Sequence, residues 1–518
     1  MKKIATLLLA AGLVFGAATG ASAIDFKAKG QWIMSFDYGQ NGTFQGKYKG
    51  HKPTGWNNSQ DDFEARQRVR LQLDAVASES LSGTVYFEIG ESFWGKATGT
   101  GRGAALGADD NSVVKLKQAY IDWMVPETDL KFRMGIQNIT TPAYASGNSV
   151  LNDDVAGIVA NYQINEMVGV TAFWARPYND NYAGTTHSGQ KNWRANYMDN
   201  MDAFGLLVPL TFDGVKVTPW GMYAAIGPNT FRDAQDNWAG NLANMGAGRN
   251  YVNSGLFPAG GPRHKNFSEA DGIANRKLTS YGNAWWGGLS GELTMFDPFR
   301  LAWDFEYGSV TWDDDGRLNR QGWFATLLAE YKLDWATPGL YGWYASGDDN
   351  NPSNGSERLP SLDGNNTNKY SNFAFDGDPY IARDSVVGHG MAGTWGIGAR
   401  LKDMSFIEDL KHTFRVNYIG GTNSTTMAKK MSREGVFWNS ADMGMEALYL
   451  TTGDSALEFG LTNTYKMYEN FTVTLEADYV ALWLDTSTSA WGARHKEGKS
   501  IPQTKDAWNI NASFVYSF

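Results

Sequence analysis

From Trp508 to Phe518 the chain alternates without a break, with Trp508, Ile510, Ala512, Phe514, Tyr516 and Phe518 on one face and Asn509, Asn511, Ser513 and Ser517 on the other. Val515 is the one apolar residue on the second face. A period of two defines a β-strand whose faces meet different environments. An aromatic face running to Phe518 leaves no polar tail, which is how a chain closes a membrane barrel, and Phe518 is the expected assembly signal.

The pattern recurs. Phe299, Leu301, Trp303, Phe305 and Tyr307 alternate with Arg300, Ala302, Asp304, Glu306 and Gly308. Phe471, Val473, Leu475, Ala477 and Tyr479 alternate with Thr472, Thr474, Glu476 and Asp478, and Ala65 to Leu73 does the same against Glu64 to Asp74. Short turns fall at Ser78–Ser82, Pro126–Asp129, Gln163–Glu166, Asp213–Gly214, Met295–Pro298, Asp334–Pro338, Lys402–Asp409 and Lys466–Asn470. Each turn joins two strands, and a first and a last strand complete the set. The expected fold class is all-β: a transmembrane antiparallel β-barrel of about 18 strands, with about 16 as the rival count, short periplasmic turns and long extracellular loops. The longest connections, 227–280 and 347–390, are rich in Gly, Asn, Asp, Ser and Pro, which favours irregular solvated loops. Helical periodicity is not sustained anywhere after the expected signal, so neither a solenoid nor a helical bundle is expected.

Lys2 and Lys3 precede an apolar run from Ile4 to Phe15, and Ala21-Ser22-Ala23 supplies a small-residue cleavage site. Residues 1–23 are therefore expected to be a signal peptide and 24–518 a single barrel domain, with no room for a plug before the first strand-like segment at Phe26–Phe36. A mean hydropathy of −0.40 does not oppose a membrane location, because barrel strands average a lipid face with a water face. The 20 Trp, 24 Tyr and 27 Phe fit aromatic girdles. With 0 Cys, thiolate chemistry, disulfides and cysteine metal sites are excluded. The net charge of −10 argues against a nucleic-acid partner.

His51, His187, His264, His389, His412 and His495 are scattered singly, away from metal-ligand spacing. The acid runs Asp313–Asp315 and Asp348–Asp349 do not match a calcium loop and read as solvated loop tips. Neither a cofactor nor a metal is expected, and no nucleophile stands beside a recognisable base, so no catalytic residues are assigned.

The chemistry is electrostatic. Arg66, Arg68 and Arg70 form a ladder on one strand face at about 6 to 7 Å per step. Facing lipid, each would cost about 2 to 4 kcal/mol near the midplane, so they are expected to face water in the lumen. Lys131 and Arg133 share a face on another strand, and the next long connection, Asn138 to Asp154, ends in Asp153-Asp154. Folded inward, that connection would set acids against the arginines at a constriction. Further lumen acids are Glu88, Asp304, Glu306, Glu476 and Asp478, and Trp286 offers a lumen-side aromatic for solute stacking.

With signal, absent cysteine, amphipathic strands and terminal aromatic strand in hand, the chain resembles the trimeric porins of Gram-negative outer membranes. The mature start Ile24-Asp25-Phe26 and the run Lys117-Gln118-Ala119-Tyr120-Ile121-Asp122-Trp123 are most similar to the homotrimeric porins of sulfate-reducing bacteria. The resemblance implies an outer-membrane homotrimer in contact with lipid, passing small hydrophilic solutes and ions. It also implies an inward third loop at Asn138 to Asp154 facing a basic wall at Arg66, Arg68, Arg70 and Arg133. The expected activity is a passive, water-filled pore. The rivals are a substrate-selective channel for carboxylates or sugars and, from another class, a secreted all-β polysaccharide-binding protein.

Overall fold

The alternating segments pair into one antiparallel sheet that closes on itself. The computed structural model describes residues 24–40, 62–96, 103–106, 114–179, 200–228, 230, 255–258, 280–313, 316–363, 370–375, 385–388, 390–433, 448–485 and 506–518. The expected signal peptide at 1–23, and all the histidines except His412, lie outside these residues.

The first strands are β1 (Asp25–Gln40), β2 (Asp62–Ser78), β3 (Leu81–Trp94), β4 (Val114–Met124), β5 (Leu130–Thr140) and β6 (Asn152–Gln163). Then come β7 (Gly169–Asn179), β8 (Asn200–Leu207, continued by Leu210–Phe212), β9 (Val215–Ile226), β10 (Gly282–Phe296), β11 (Phe299–Thr311) and β12 (Arg320–Tyr331). The last are β13 (Thr337–Ala345), β14 (Thr394–Ile407), β15 (Leu410–Gly421), β16 (Ser455–Tyr468), β17 (Phe471–Trp483) and β18 (Ala507–Ser517). Pro209, which has no N–H to give a ladder, splits β8. The pair Gly103–Ala104 lies parallel to the tip of β3, outside the ring. The ring therefore has 18 members, as the turn count implies.

Closure comes from β18, which pairs with β17 on one side and with β1 on the other, from Gln31 opposite Ser517 to Gln40 opposite Trp508. Gly30 and Phe518 extend this seam by exchanging backbone hydrogen bonds of 2.8 and 3.0 Å. A Cβ at position 30 would stand 2.5 Å from the Phe518 ring, so the aromatic terminus needs glycine beneath it. The inner side of the seam is a small polar zipper, with Asn511 donating to Ser35 at 2.8 Å and Ser513 to Asn511 at 2.7 Å.

All the expected turns join neighbouring strands, but several strands run further than the turn residues suggest. β14 continues to Ile407 through irregular pairing around Met404, leaving only Glu408 and Asp409 as the turn. Outward residues form two aromatic collars: Phe296, Tyr331, Trp335, Phe406 and Tyr468 near the short turns, and Trp285, Tyr307, Trp323 and Tyr344 toward the long loops. No helix among the described residues is long and apolar enough to cross a membrane.

The long connections depart from their composition. Parts of them fold into the barrel and build an apolar core against the inner wall. Ala145, Val150, Phe257, Leu359, Phe373, Phe375 and Val387 pack with wall residues Trp220, Met222, Phe324 and Trp343. A short helix, α1 (Thr425–Arg433), lies within one such connection, with Met427 and Ala428 buried. Asp348 is likewise no solvated loop tip. It is buried, accepting from Ser356 Oγ at 2.6 Å and from Tyr449 Oη at 2.6 Å.

Candidate functional site

The interior is shaped by two in-folded segments, each held in the same way. The β5–β6 connection, residues 141–151, crosses to β11, where Asp304 accepts the backbone N–H groups of Tyr144 (2.7 Å), Ala145 (2.9 Å) and Ser146 (2.9 Å). Ser290 Oγ donates to the Pro142 carbonyl at 3.0 Å, and Arg300 donates to the Tyr144 carbonyl at 3.1 Å. Opposite, Glu458 on β16 accepts the N–H groups of Asn372 (3.1 Å), Phe373 (2.9 Å) and Ala374 (3.0 Å). Consecutive N–H groups converging on a carboxylate are a charge-assisted clamp, roughly twice as strong as neutral hydrogen bonds. A third tie is Arg320, wholly buried, whose guanidinium donates to the carbonyls of Phe257 (3.0 Å), Arg358 (3.2 Å) and Leu359 (2.7 Å).

The basic wall lies on β2 to β5. The acids it meets come from the same wall, because inward residues of adjacent strands stand about 5 Å apart. Arg66 pairs with Glu64 and lies over the Phe93 ring at 4.6 Å, and Arg68 reaches Glu91 at 3.3 Å. Arg70 pairs with Glu88 at 2.9 Å, and Lys115 reaches the same carboxylate at 3.4 Å. Arg133 grips Asp122 through two bonds of 2.7 and 2.9 Å, stacks over Tyr120 at 4.1 Å, and shares Asp122 with Lys131 at 3.3 Å.

The two charges are not equally presented. The Glu88 and Asp122 side chains are 12% and 15% exposed, whereas those of Lys115, Lys131 and Arg133 are 40%, 41% and 35% exposed. At Glu88 and Asp122 the acids lie against the wall and the cationic ends project into water, whereas Glu64 and Glu91 are more exposed than the arginines they hold. Arg66 and Arg68, by contrast, are mostly covered, so Arg70 is the member of the ladder that reaches the lumen. A second ion-pair chain runs along the far wall: Lys216 to Glu292 (3.1 Å), Glu292 to Arg300 (2.9 Å), Arg300 to Glu330 (2.8 Å) and Glu330 to Arg400 (2.6 Å).

The remaining candidates fall in several places. Asp153 is exposed opposite Ile139 on β5, and Asp154 pairs with Lys117 at 2.6 Å and Gln118 at 2.6 Å rather than with the arginine ladder. Glu306 is fully buried two positions beyond Asp304. Glu476 accepts from Thr462 at 3.2 Å, and Asp478 from Asn372 at 3.1 Å, beneath the second in-folded segment. Trp286 is not a stacking surface for solute: it is buried and donates to the Pro360 carbonyl at 2.8 Å. Sequence reasoning missed Glu458, Asp122, Glu64 and Glu91. Asp122 and Glu64 sit on the same alternating faces as the cations, a signal available in the sequence, whereas the partner of Glu458 is far away along the chain.

This geometry defines the class: a closed barrel with a lumen narrowed by in-folded loops and lined by unevenly exposed charge, the architecture of channel-forming outer-membrane proteins. The chain is similar in fold to OccK9 (OpdG) of Pseudomonas aeruginosa, at 10% identity, covering 95% of this chain and 98% of that one, with a TM-score of 0.50. OccK2 (OpdF) of the same organism, solved in complex with glucuronate, matches at 11% identity over 95% and 98% of the two chains, with a TM-score of 0.48. OprD of that organism matches at 10% identity over 96% of each chain, with a TM-score of 0.48. No described protein family and no curated sequence matches the chain.

Proposed function

We propose that the chain is an outer-membrane porin, a water-filled passive channel for small hydrophilic solutes and ions that favours anions and performs no chemical step. One observation carries this reading: on the basic wall the carboxylates of Glu88 and Asp122 are recessed while Lys115, Lys131 and Arg133 project. An anion that passes within the ~8 Å Debye length of physiological salt meets the cationic ends first. Recessed acids are screened by their own partners. Selection therefore arises from a narrowed, charged lumen rather than from net charge.

A second reading, a carboxylate-selective channel, is favoured by the close placement of Arg133 and Lys131 on one acid and of Arg70 and Lys115 on another. Each pair offers unused N–H donors to a passing carboxylate. We further propose a homotrimer, on the resemblance to the trimeric porins of Gram-negative outer membranes. Reversal potentials across planar bilayers in a potassium chloride gradient test the main reading. A cation-directed potential overturns anion preference, and conductance that saturates with an added carboxylate but not with chloride selects the second reading.

A further inference from the structure

The barrel's outer wall should be apolar until it leaves the membrane, yet just above the collar formed by Trp285, Tyr307 and Trp323 it carries a polar hollow. Ser309 stands directly across from Trp285 on one side and from Gln321 on the other, one step beyond the Tyr307 and Trp323 pair. All of these face outward: Trp285, Tyr307 and Trp323 are exposed, while the intervening Gly308, Val310 and Gly322 are buried. The hollow has a volume of about 290 Å³ and is lined by Ser309, Thr311, Asn319, Gln321, Asn354 and Glu357, among others. That is near the lower limit of small-ligand pockets, about 300 Å³, and suits a single sugar ring.

The hollow is built rather than frayed. Its far wall is the segment around Gly355, laid along the start of β12 by two backbone bonds, Gln321 N–H to Ser356 O at 2.7 Å and Ser356 N–H to Asn319 O at 2.9 Å. Gly355 has φ +94, and a Cβ there would come within 2.1 Å of the Asn319 carbonyl, so only glycine allows this approach. The Ser309 hydroxyl and the Gln321 side-chain amide make no hydrogen bond among the described residues, and the Asn319 side chain is engaged only through its Oδ1, by Trp312 N–H at 2.7 Å.

We infer that this hollow binds the sugar portion of a glycolipid of the surrounding leaflet. The inference rests on the outer-membrane reading above, which places aromatic collars at the membrane interface. The lining offers hydroxyls and amides, which both donate and accept, as sugar hydroxyls do. Among the described residues its one charged member is the carboxylate of Glu357 and no cation lines it, which makes a phosphate a poor occupant. Acyl chains attached to a sugar held here would run down over Trp285, Tyr307 and Trp323. At a membrane interface such polar contacts are stronger than in bulk water.

The test uses the full chain purified in detergent and titrated with three probes: rough-type lipopolysaccharide, phosphatidylglycerol, and the delipidated core oligosaccharide, read by native mass spectrometry. The expected result is binding of lipopolysaccharide over the other two, weakened at least tenfold in Ser309→Leu/Gln321→Leu and in the space-filling Ser309→Trp. Equal lipopolysaccharide affinity in wild type and both variants overturns the site. Tighter binding of phosphatidylglycerol, or of free oligosaccharide, overturns the glycolipid as its occupant. Conductance recorded from the same samples tests the channel reading on its own, since neither substitution touches the lumen.

Discussion

Replacing Asp304 with alanine should open the channel. Its carboxylate, 1% exposed, takes the N–H groups of Tyr144, Ala145 and Ser146 at 2.7 to 2.9 Å. Hydrogen bonds to a charged group contribute about 1.5–3 kcal/mol each. The gross figure for the clamp is therefore on the order of 5 to 9 kcal/mol. Against it stand the cost of burying the carboxylate, several kcal/mol, and the water these amides regain when the segment lifts. A net loss of about 3 kcal/mol changes the docked-to-released ratio by roughly a hundredfold, at about 1.4 kcal/mol per factor of ten. Ser290 and Arg300 still hold the Pro142 and Tyr144 carbonyls, so release should be intermittent. Single-channel recordings of Asp304→Ala should show larger mean conductance with stepwise fluctuations, and Asp304→Asn, which keeps one acceptor oxygen, should fall between. Asp153→Asn, at an exposed position, should leave the record unchanged. A conductance histogram for folded Asp304→Ala that superimposes on wild type would refute the clamp.

Lys131→Gln/Arg133→Gln removes two of the three projecting cations and leaves Asp122 without its ion partners, so the reversal potential in a salt gradient should shift toward cations; an unchanged potential places these residues away from the ion path. The same measurement on Arg66→Gln/Arg68→Gln should show the smaller shift, because those side chains are mostly covered. Deleting Phe518 removes its two backbone bonds to Gly30 and its ring contact with Tyr516 at 5.8 Å, together about 2 to 3 kcal/mol at the seam. Folded yield, read as heat-modifiable gel migration, should drop, and a normal yield would remove that role. Arg320→Met strips the donors from three buried carbonyls and should cost about 3 kcal/mol or more. Protease cleavage near residues 355–363 should then accelerate, and resistance equal to wild type would count against the tie.

Much of the barrel was legible because its rule is local. A strand between lipid and water must alternate, and a short turn must follow it, so Phe299–Tyr307, Phe471–Tyr479 and Trp508–Phe518 could be placed without knowing their neighbours. Arg66, Arg68 and Arg70 were legible as inward residues for the same reason. Their partners were less so: Glu88 and Glu91 depend on how β3 registers against β2, and a shift there, between Gln67 and Arg68, changes which acid meets which arginine.

The longest connections, 227–280 and 347–390, were misread because composition reports only that they are polar and glycine-rich. Whether such a segment floats or docks depends on a receptor elsewhere: Asp304 lies 160 positions from Tyr144, and Glu458 lies 86 from Asn372. By itself the sequence determined a closed amphipathic barrel, since two solvents impose a period of two on every strand. Only the tertiary structure decided how the loops are held within the lumen and which charges its water meets, because those depend on contacts between residues far apart along the chain.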